Sequence, residues 1–365
     1  MRTQGLPRTV CGRYAPAMRQ SYLRPIPLTD PAEAGAGLPL AGGWVRFTHL
    51  ERLSRNAPPE IVAATDLPQA VLAPFLAPRD AIVGLTCDRP RIMGILNVTP
   101  DSFSDGGRHA GQDAAIAAAQ RMLADGADLI DIGGESTRPG AAELAIVTEI
   151  DRIAPVIAGL RAAGVSAPIS LDTRKAAVAI AGLAAGADVI NDVSGLRHDP
   201  GLADVAAAQG APLIVMHSIG TPETMQCMAS DAYDDVLLDV YDALAAIVAQ
   251  AEAAGVPRAR IMIDPGIGFG KTLAQNMALL ARLSLFHGLG CAVLLGVSRK
   301  GMIGTISGEA DRARRGPGSA AIGLWAVQQG IQMLRVHDIA LHQQALALWQ
   351  ALATSGVLGQ EERKR

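Results

Sequence analysis

The stretch PISLDTRKAAVAIAGLAAGADVIND (168–192) holds the repeating unit that decides the fold. A short aliphatic run, PISLD (168–172), precedes an Ala-rich segment that predicts a helix over 174–185. Gly186 then suits the left-handed backbone conformation with which helices commonly end. A second aliphatic run, ADVIND (187–192), follows directly. The order strand, helix, glycine, strand is typical of an α/β protein with a parallel sheet.

The same unit recurs through residues 91–355, which we predict to form one domain. Strands buried on both faces of a parallel sheet read as continuous aliphatic runs. Eight such runs occur: IMGILNV (92–98), ADLIDIG (127–133), PISLD (168–172), ADVIND (187–192), PLIVMH (212–217), IMIDPG (261–266), AVLLGVS (292–298) and IQMLRVH (331–337). Helical patterns follow them at 112–125, 143–163, 174–185, 200–209, 231–254, 272–286, 312–329 and 338–354. Eight such units predict an α/β fold of the TIM (β/α)8 barrel type.

An open, doubly wound sheet is the alternative architecture for alternating strands and helices. Such a sheet often carries a G-x-G-x-x-G turn after its first strand. That turn is absent after the first aliphatic run of this chain. The pattern therefore favours the closed barrel.

The segments on either side of the barrel differ in composition from it. Residues 1–90 contain irregular, Pro-rich stretches and one strand-like piece at 44–48, and they predict an N-terminal extension that forms a small appendage or a lid. Residues 356–365 are rich in charge and predict a C-terminal tail.

Composition narrows the range of partners. The net charge is −3, so we expect no general affinity for nucleic acid, and any anion site must be local. Aromatic residues make up 3%, which argues against a surface on which sugars or bases stack. No apolar run reaches 18 residues, so no membrane span is predicted. The four cysteines lie far apart with no C-x-x-C, which predicts reduced thiols and a cytoplasmic location.

Polar residues stand at the carboxyl end of each aliphatic run. They are Asn97, Asp131, Glu135, Asp172, Asn191, Asp192, His217, Asp264, Ser298, Arg299, Lys300, Arg335 and His337. A single Asp in this position is usually a helix N-cap. The strands of a TIM barrel, however, all end at one mouth, so the whole set predicts a ligand site. Carboxylates and amides suit the edge of a flat heterocycle, and Arg and His suit a phosphate.

A Gly-rich loop follows the sixth aliphatic run. PGIGFGKT (265–272) resembles a Walker A phosphate loop, but Pro265 stands where that motif requires its first glycine. The residues leave two interpretations open, a tight turn or a loop that contacts the ligand.

Seven motifs in sequence order resemble the dihydropteroate synthase family. They are GILNVTPDSFSDGG (94–107), IDIGGESTRPG (130–140), SLDTRK (170–175), VINDVSG (189–195), IDPGIGFGK (263–271), GVSRKGMIG (296–304) and RVHD (335–338). The family has a TIM barrel and acts in folate biosynthesis. The resemblance implies that the chain joins 6-hydroxymethyl-7,8-dihydropterin pyrophosphate to p-aminobenzoate, releasing pyrophosphate and forming 7,8-dihydropteroate.

The resemblance also implies roles for individual residues. The pterin would be bound by Asp172, Asn191, Met216, Asp264 and Lys300. The pyrophosphate would be bound by Asn97, Thr137, Arg138, Arg335 and His337. The p-aminobenzoate would be bound by Pro139, Phe269 and Ser298. The catalytic residues would be Asp131, Asp172 and Lys300.

Further expectations follow from the same resemblance. Asn97 would be the ligand of a Mg²⁺ cofactor that bridges the pyrophosphate oxygens. Loops 99–111 and 134–143 would close over both substrates, and sulfonamides would compete with p-aminobenzoate. A homodimer would form through helices over 320–329 and 339–352.

Two other functions share part of this sequence pattern. A pterin-binding methyltransferase domain would share the barrel and its Asp and Asn residues, but not the STRPG loop or the SRK motif, which this chain has. A non-catalytic paralogue would have lost at least one of four residues, and all four are present: Asn97, Arg138, Lys300 and Arg335.

Overall fold

A small antiparallel sheet precedes the barrel in the computed structural model, which describes residues 21–30, 35–98, 107–136, 141–221 and 223–362. Its elements are β1 (Tyr22–Leu28), β2 (Leu38–Pro39), β3 (Arg46–Leu53) and β4 (Glu60–Ala63), followed by helix α1 (Gln69–Leu76). Strand β3 is central and pairs with the other three. The single strand-like piece that the sequence indicated at 44–48 is therefore the start of the longest strand in a four-stranded sheet.

Eight parallel strands then close into a barrel. They are β5 (Arg91–Asn97), β6 (Leu129–Gly133), β7 (Ile169–Asp172), β8 (Val189–Asp192), β9 (Leu213–Met216), β10 (Ile261–Asp264), β11 (Ala292–Leu295) and β12 (Met333–Val336). Strand β12 pairs with β5 and closes the ring. The prediction of a TIM barrel with an N-terminal extension is confirmed, and the open doubly wound sheet is wrong.

Helices surround the barrel strands. They are α2 (Gly107–Ala124), α3 (Ile146–Ala162), α4 (Ala176–Ala184), α5 (Gly201–Gln209), α6 (Met225–Met228), α7 (Val236–Ala253), α8 (Leu273–Ala281), α9 (Gly301–Ser307), α10 (Gly316–Gln328) and α11 (Ile339–Glu362). The short helices α6 and α9 lie in connections that the sequence did not mark as helical. No helix in the described part of the chain combines the length and the hydropathy needed to cross a membrane.

A repeated Gly-Ala-Asp sequence connects a helix to the next strand and bonds to the strand before it. It occurs at 126–128 before β6 and at 186–188 before β8, and both glycines have a positive φ. The Asp128 carboxylate accepts the backbone N–H of Ile92 at 2.8 Å, and Asp188 accepts that of Ile169 at 2.8 Å. Each carboxylate thus satisfies an amide at the start of the preceding strand, which a buried backbone requires.

The N-terminal extension closes the end of the barrel opposite the strand-end polar residues. Ile82 and Cys87 pack in one apolar cluster with residues near the starts of the strands, such as Leu129 and Val189. The small sheet is held to the barrel by polar contacts, including Tyr22 Oη to Asp242 at 2.6 Å. The extension is therefore a cap on the amino-terminal end of the barrel, and the mouth at the carboxyl end is left to the barrel loops.

Candidate active site

The carboxyl ends of the barrel strands surround a cavity of about 950 Å³. Ten of the residues predicted from the sequence line it: Asn97, Asp172, Asn191, Met216, Asp264, Phe269, Ser298, Lys300, Arg335 and His337. Asp131 is fully buried beneath them. Three further predicted residues, Thr137, Arg138 and Pro139, lie outside the described residues, as do parts of the two loops predicted to close.

A single guanidinium joins two carboxylates at the base of this cavity. Arg335 on β12 donates from Nε to Asp131 at 2.6 Å and from Nη2 to Asp172 at 2.7 Å. Asn191 on β8 places its amide nitrogen 3.2 Å from both carboxylate oxygens of Asp131. Strands β6, β7 and β8 are neighbours, so Asp131, Asp172 and Asn191 project side by side. The arrangement offers paired donors and acceptors in a site shielded from water.

Burial shifts the pKa values of three ionisable groups in the cavity. It raises the pKa of Asp172 to about 7, an effect that Arg335 opposes and the nearby Asp131 reinforces. Burial likewise raises the pKa of Asp264, with Lys300 acting in the other direction. Burial lowers the pKa of Lys300 to about 8. The protons on Asp172 and Lys300 are therefore exchanged close to neutral pH, which is common at catalytic sites.

Lys300 and Phe269 form the wall next to Asp264. The Lys300 ammonium lies 4.3 Å from the centre of the Phe269 ring, within the range of a cation–π contact, and donates to the carbonyl of Ile267. The Asp264 carboxylate accepts the backbone N–H of Gly266 at 2.7 Å. An aromatic ring, a cation and a buried carboxyl group thus stand together on one side of the mouth.

Ser298 and His337 contact each other at the ends of β11 and β12. The Ser298 hydroxyl lies 2.9 Å from Nδ1 of His337 and accepts the backbone N–H of His337 at 3.1 Å. Burial lowers the pKa of His337 to about 3, and the cations of Arg299 and Arg335 act in the same direction. The imidazole is consequently neutral at pH 7 and contributes hydrogen bonds rather than charge.

A buried ionic network, to which the sequence assigned no role, lies behind the loop at 134–143. Lys175 donates to Glu149 at 2.7 Å, to the carbonyl of Leu144 at 2.6 Å and to Glu135 at 3.2 Å. Glu135 also accepts the backbone N–H of Leu144 at 2.7 Å and a bond from Arg174 at 3.0 Å. Burial would raise the pKa of Glu135, but Leu144 and Arg174 outweigh it and hold that pKa below its usual value. The network ties together the two ends of segment 135–144.

In the sequence, the only hint of this network is the pair of positive charges in the SLDTRK motif. Lys175 precedes an Ala-rich helix, where a lysine is ordinarily solvated, yet it is 3% exposed. Its partners come from segments 26 and 40 residues away along the chain. A sequence pattern of period 2 or 3.6 carries no information on such contacts.

Replacing Lys175 tests how much this network stabilises the fold. We expect Lys175→Met to lower the free energy of unfolding by about 3–5 kcal/mol, because Glu135 and Glu149 remain buried with less compensating charge. Urea denaturation followed by circular dichroism measures the change. The control is Arg52→Ala, which breaks the exposed pair with Glu60 and is expected to cost less than about 1 kcal/mol. Equal effects of the two changes would contradict the prediction.

Comparisons with known proteins address what this site does. Residues 93–337 match the model of a family described as pterin binding enzyme. The dihydropteroate synthase of Neisseria meningitidis serogroup C is 45% identical over 269 residues, which cover 73% of this chain and 93% of that protein. The dihydropteroate synthase of Escherichia coli K12 is 41% identical over 281 residues, which cover 77% of this chain and 96% of that protein.

Solved structures are similar over the same part of the chain. Dihydropteroate synthase of Xanthomonas albilineans with 4-aminobenzoic acid has a TM-score of 0.70 at 47% identity, covering 75% of this chain and 98% of that one. The same bacterium's enzyme in complex with 7,8-dihydropteroate has a TM-score of 0.66 at 45% identity, covering 73% and 95%. These similarities confirm the resemblance that the motifs indicated. The chain therefore belongs to the dihydropteroate synthases, transferases of folate biosynthesis within the family of pterin-binding enzymes.

Proposed function

We propose that the mouth of this barrel joins 6-hydroxymethyl-7,8-dihydropterin pyrophosphate to p-aminobenzoate, with release of pyrophosphate. The observation that carries this proposal is the polar set around one cavity. Asp172, Asn191 and Asp264 present acceptors and donors at its base, and Arg335 supplies a cation beside them. A heterocycle with a charged leaving group needs both kinds of group at one place.

The buried carboxyl and amide groups suit the pterin. The side chains of Asp172, Asn191 and Asp264 are all buried, so hydrogen bonds to the N–H and C=O edge of the ring would form without competition from bulk water. Met216, at the end of β9, is 2% exposed and lines the same cavity, where its thioether can pack against the ring. Lys300 stands beside Asp264 and completes this half of the site.

Loss of pyrophosphate is the demanding step, and the charges of the site assist it. The bond between the exocyclic methylene carbon and the leaving oxygen breaks. Arg335 by its charge, and the neutral His337 by a hydrogen bond, stabilise the charge that develops on the pyrophosphate. The dihydropterin ring delocalises the positive charge left on the methylene carbon. The carboxylate of Asp131, or of Asp172 when ionised, stabilises that cation by its negative charge.

The amine then forms the new carbon–nitrogen bond. Its nitrogen is nucleophilic without a strong general base, and the one proton that it loses as the bond forms passes to the released pyrophosphate or to solvent. We place the p-aminobenzoate ring against Phe269, with Ser298 on the same side of the mouth. A sulfonamide, which has the same aniline group, would compete for this position, and the Yersinia pestis relative has been solved with a sulfonamide drug.

Asn97 is the described residue best suited to a Mg²⁺ ion. It ends β5 and lines the cavity with an amide oxygen, a ligand type that Mg²⁺ accepts. Among the described residues no group of three or more His, Cys, Asp or Glu is arranged to hold a metal. One protein oxygen agrees with the usual binding of Mg²⁺ through few protein ligands, substrate phosphate and water. The ion, when bound, would neutralise charge on the pyrophosphate.

We expect Asp172→Asn to lower turnover by on the order of 10²-fold or more, because it removes a carboxylate that faces both the pterin and the developing cation. Pyrophosphate release from the two substrates with Mg²⁺ measures it. Asp204→Asn, an exposed position on α5, is the matched control and should retain full activity. Turnover of Asp172→Asn within twofold of the parent would contradict the assignment.

Asp172→Asn is expected to lower turnover but not to lower the stability of the folded protein at high pH. Because burial raises the pKa of Asp172 from 3.8 to about 7, the folded state holds its proton more tightly than the unfolded state. The stability that this residue contributes is complete below about pH 4 and is lost as the pH rises through about 7. We therefore expect the free energy of unfolding of Asp172→Asn at pH 8 to equal or exceed that of the parent chain.

We expect Asn97→Ala to raise the Mg²⁺ concentration for half-maximal activity by on the order of tenfold or more, since one ligand of the ion is lost. Pyrophosphate release titrated with MgCl₂ measures this requirement. Asn56→Ala, an exposed position in the extension, should leave it unchanged. A metal requirement that stays the same in both variants would remove Asn97 from the proposed site.

A homodimer is proposed from the outer face of α10 and α11. Trp325 is 48% exposed and Leu348 is 62% exposed, and Leu341 lies two turns before Leu348 on the same helix face. We expect light scattering to give twice the mass of one chain, and Leu348→Glu to give the mass of a single chain. Ile61→Glu, which is 59% exposed on β4, should leave the dimer intact. A parent protein with the mass of one chain would contradict the proposal.

A cytoplasmic location is proposed from the thiols. Cys87, Cys227 and Cys291 are all unpaired, and two of them are buried. Free cysteines persist in compartments that keep thiols reduced.

A further inference from the structure

The chain has only four lysines, and one of them, Lys271, has no role in the proposed reaction. Lys271 follows the Gly-rich loop at 265–270 and is 3% exposed. Its Nζ lies 2.8 Å from the carbonyl of Gly266 and 3.1 Å from that of Phe269. It also lies 3.3 Å from the carbonyl of His217 and 3.0 Å from Nδ1 of the same residue. Three carbonyl oxygens and one imidazole nitrogen therefore surround the lysine nitrogen.

The three carbonyls can accept every proton that the lysine nitrogen carries. An ammonium group carries three protons and accepts no hydrogen bond. The lysine of a Walker A loop reaches out to a phosphate. The amine of Lys271 instead lies among backbone carbonyls of its own loop and of the segment after β9. It has no donor left for a substrate and acts within the protein.

The loop around Lys271 can take this shape only with glycine at certain positions. Gly266 and Gly270 have φ of +69° and +64°. A Cβ on Gly266 would lie 1.8 Å from the carbonyl oxygen of His217, and one on Gly270 would lie 2.1 Å from the side chain of Ile219. The two segments therefore approach as closely as their backbones permit, and this brings the carbonyls together on one nitrogen.

Two further side chains, Tyr233 and Asn276, also form hydrogen bonds with this loop. Tyr233 donates its hydroxyl to the carbonyl of Gly270 at 3.1 Å, and its ring centre lies 5.8 Å from that of His217. Asn276 on α8 accepts the backbone N–H of Gly268 at 2.7 Å. Lys271 and these two residues together hold the loop on both sides.

The held loop shapes the cavity wall in two ways. The Phe269 ring lines the cavity, and the carbonyl of the buried Ile267 accepts from Lys300, which also lines it. A displaced loop would move the Phe269 ring most directly, whereas Asp172 and Asn191, which bind the pterin in the proposed function, belong to β7 and β8 in a different part of the barrel. Loop position is therefore expected to affect binding of the aromatic amine first.

We propose that Lys271 is a positioning residue, which gathers the carbonyls of Gly266, Phe269 and His217 and thereby fixes the wall against which p-aminobenzoate binds. The inference rests on the proposed function, since it concerns the acceptor side of that reaction. Lys271 is among the residues that line the cavity, but its nitrogen is engaged by these three carbonyls rather than directed to a substrate. It sets the affinity for the acceptor through Phe269.

Steady-state kinetics of Lys271→Met test the proposal, because Met fills the space of the lysine chain but offers no donor. We expect the KM for p-aminobenzoate to rise by on the order of tenfold, while the KM for the dihydropterin pyrophosphate stays within about twofold. A merely structural role would lower the amount of folded enzyme and leave both KM values unchanged. A lysine that bound phosphate would raise the KM for the dihydropterin pyrophosphate instead. Either of these two results overturns the proposal.

Tyr233→Phe is a second test of the proposal, which remains available if Lys271→Met does not fold. It removes one hydrogen bond to the same loop and is expected to raise the KM for p-aminobenzoate severalfold with little effect on the other substrate. Tyr22→Phe is the matched control, since it removes a buried tyrosine hydroxyl that bonds to Asp242 in the extension interface. It should change neither KM. If Tyr233→Phe and Tyr22→Phe have equal KM values for p-aminobenzoate, the proposal is overturned.

The parent chain separates this inference from the function on which it rests. A parent that releases no pyrophosphate from the two substrates shows that the proposed function is wrong, and the inference fails with it. A fully active parent whose variants keep the parent KM for p-aminobenzoate shows that the reaction is right and the role of Lys271 is wrong.

Discussion

At the base of the barrel mouth one guanidinium lies between two buried carboxylates, and the arrangement of the site depends on it. Asp131 is fully buried and could not remain charged there without a partner. Arg335 supplies that partner and reaches Asp172 as well. Since β12 is next to β5 and β5 is next to β6, closure of the barrel is what brings Arg335 within reach of these acids. A pyrophosphate would then meet a cation already held in place.

Two lysines hold the surrounding loops from behind. Lys175 joins the ends of segment 135–144 through Glu135, Glu149 and a carbonyl, and Lys271 gathers three carbonyls near the Gly-rich loop. Both are nearly inaccessible to water. A compact ammonium suits such cages because its three donors can point to oxygens in different directions, which a planar guanidinium cannot do.

The extension and the active site lie at opposite ends of the barrel. Apolar residues around Ile82 and Cys87 cover the starts of the strands, where the barrel interior would otherwise meet water. The small sheet adds a core of its own around Phe47 and Phe75, and Trp44 donates to the carbonyl of Val327 on α10. The extension thus buries apolar surface at the end of the barrel opposite the cavity.

The amino-acid sequence by itself determined the barrel, because buried strands leave an aliphatic pattern that occurs eight times, and several of the helices between them end at a glycine. It also placed Asp172, Asn191, Asp264 and Arg335 at strand ends, where TIM barrels bind ligands. It did not reveal that Arg335 pairs with Asp131, that Lys175 and Lys271 are buried, or that β1 to β4 form a sheet. Only the tertiary structure decided these points. Partners of buried charges come from distant parts of the chain, and which strands become neighbours depends on closure of the whole barrel rather than on any local pattern.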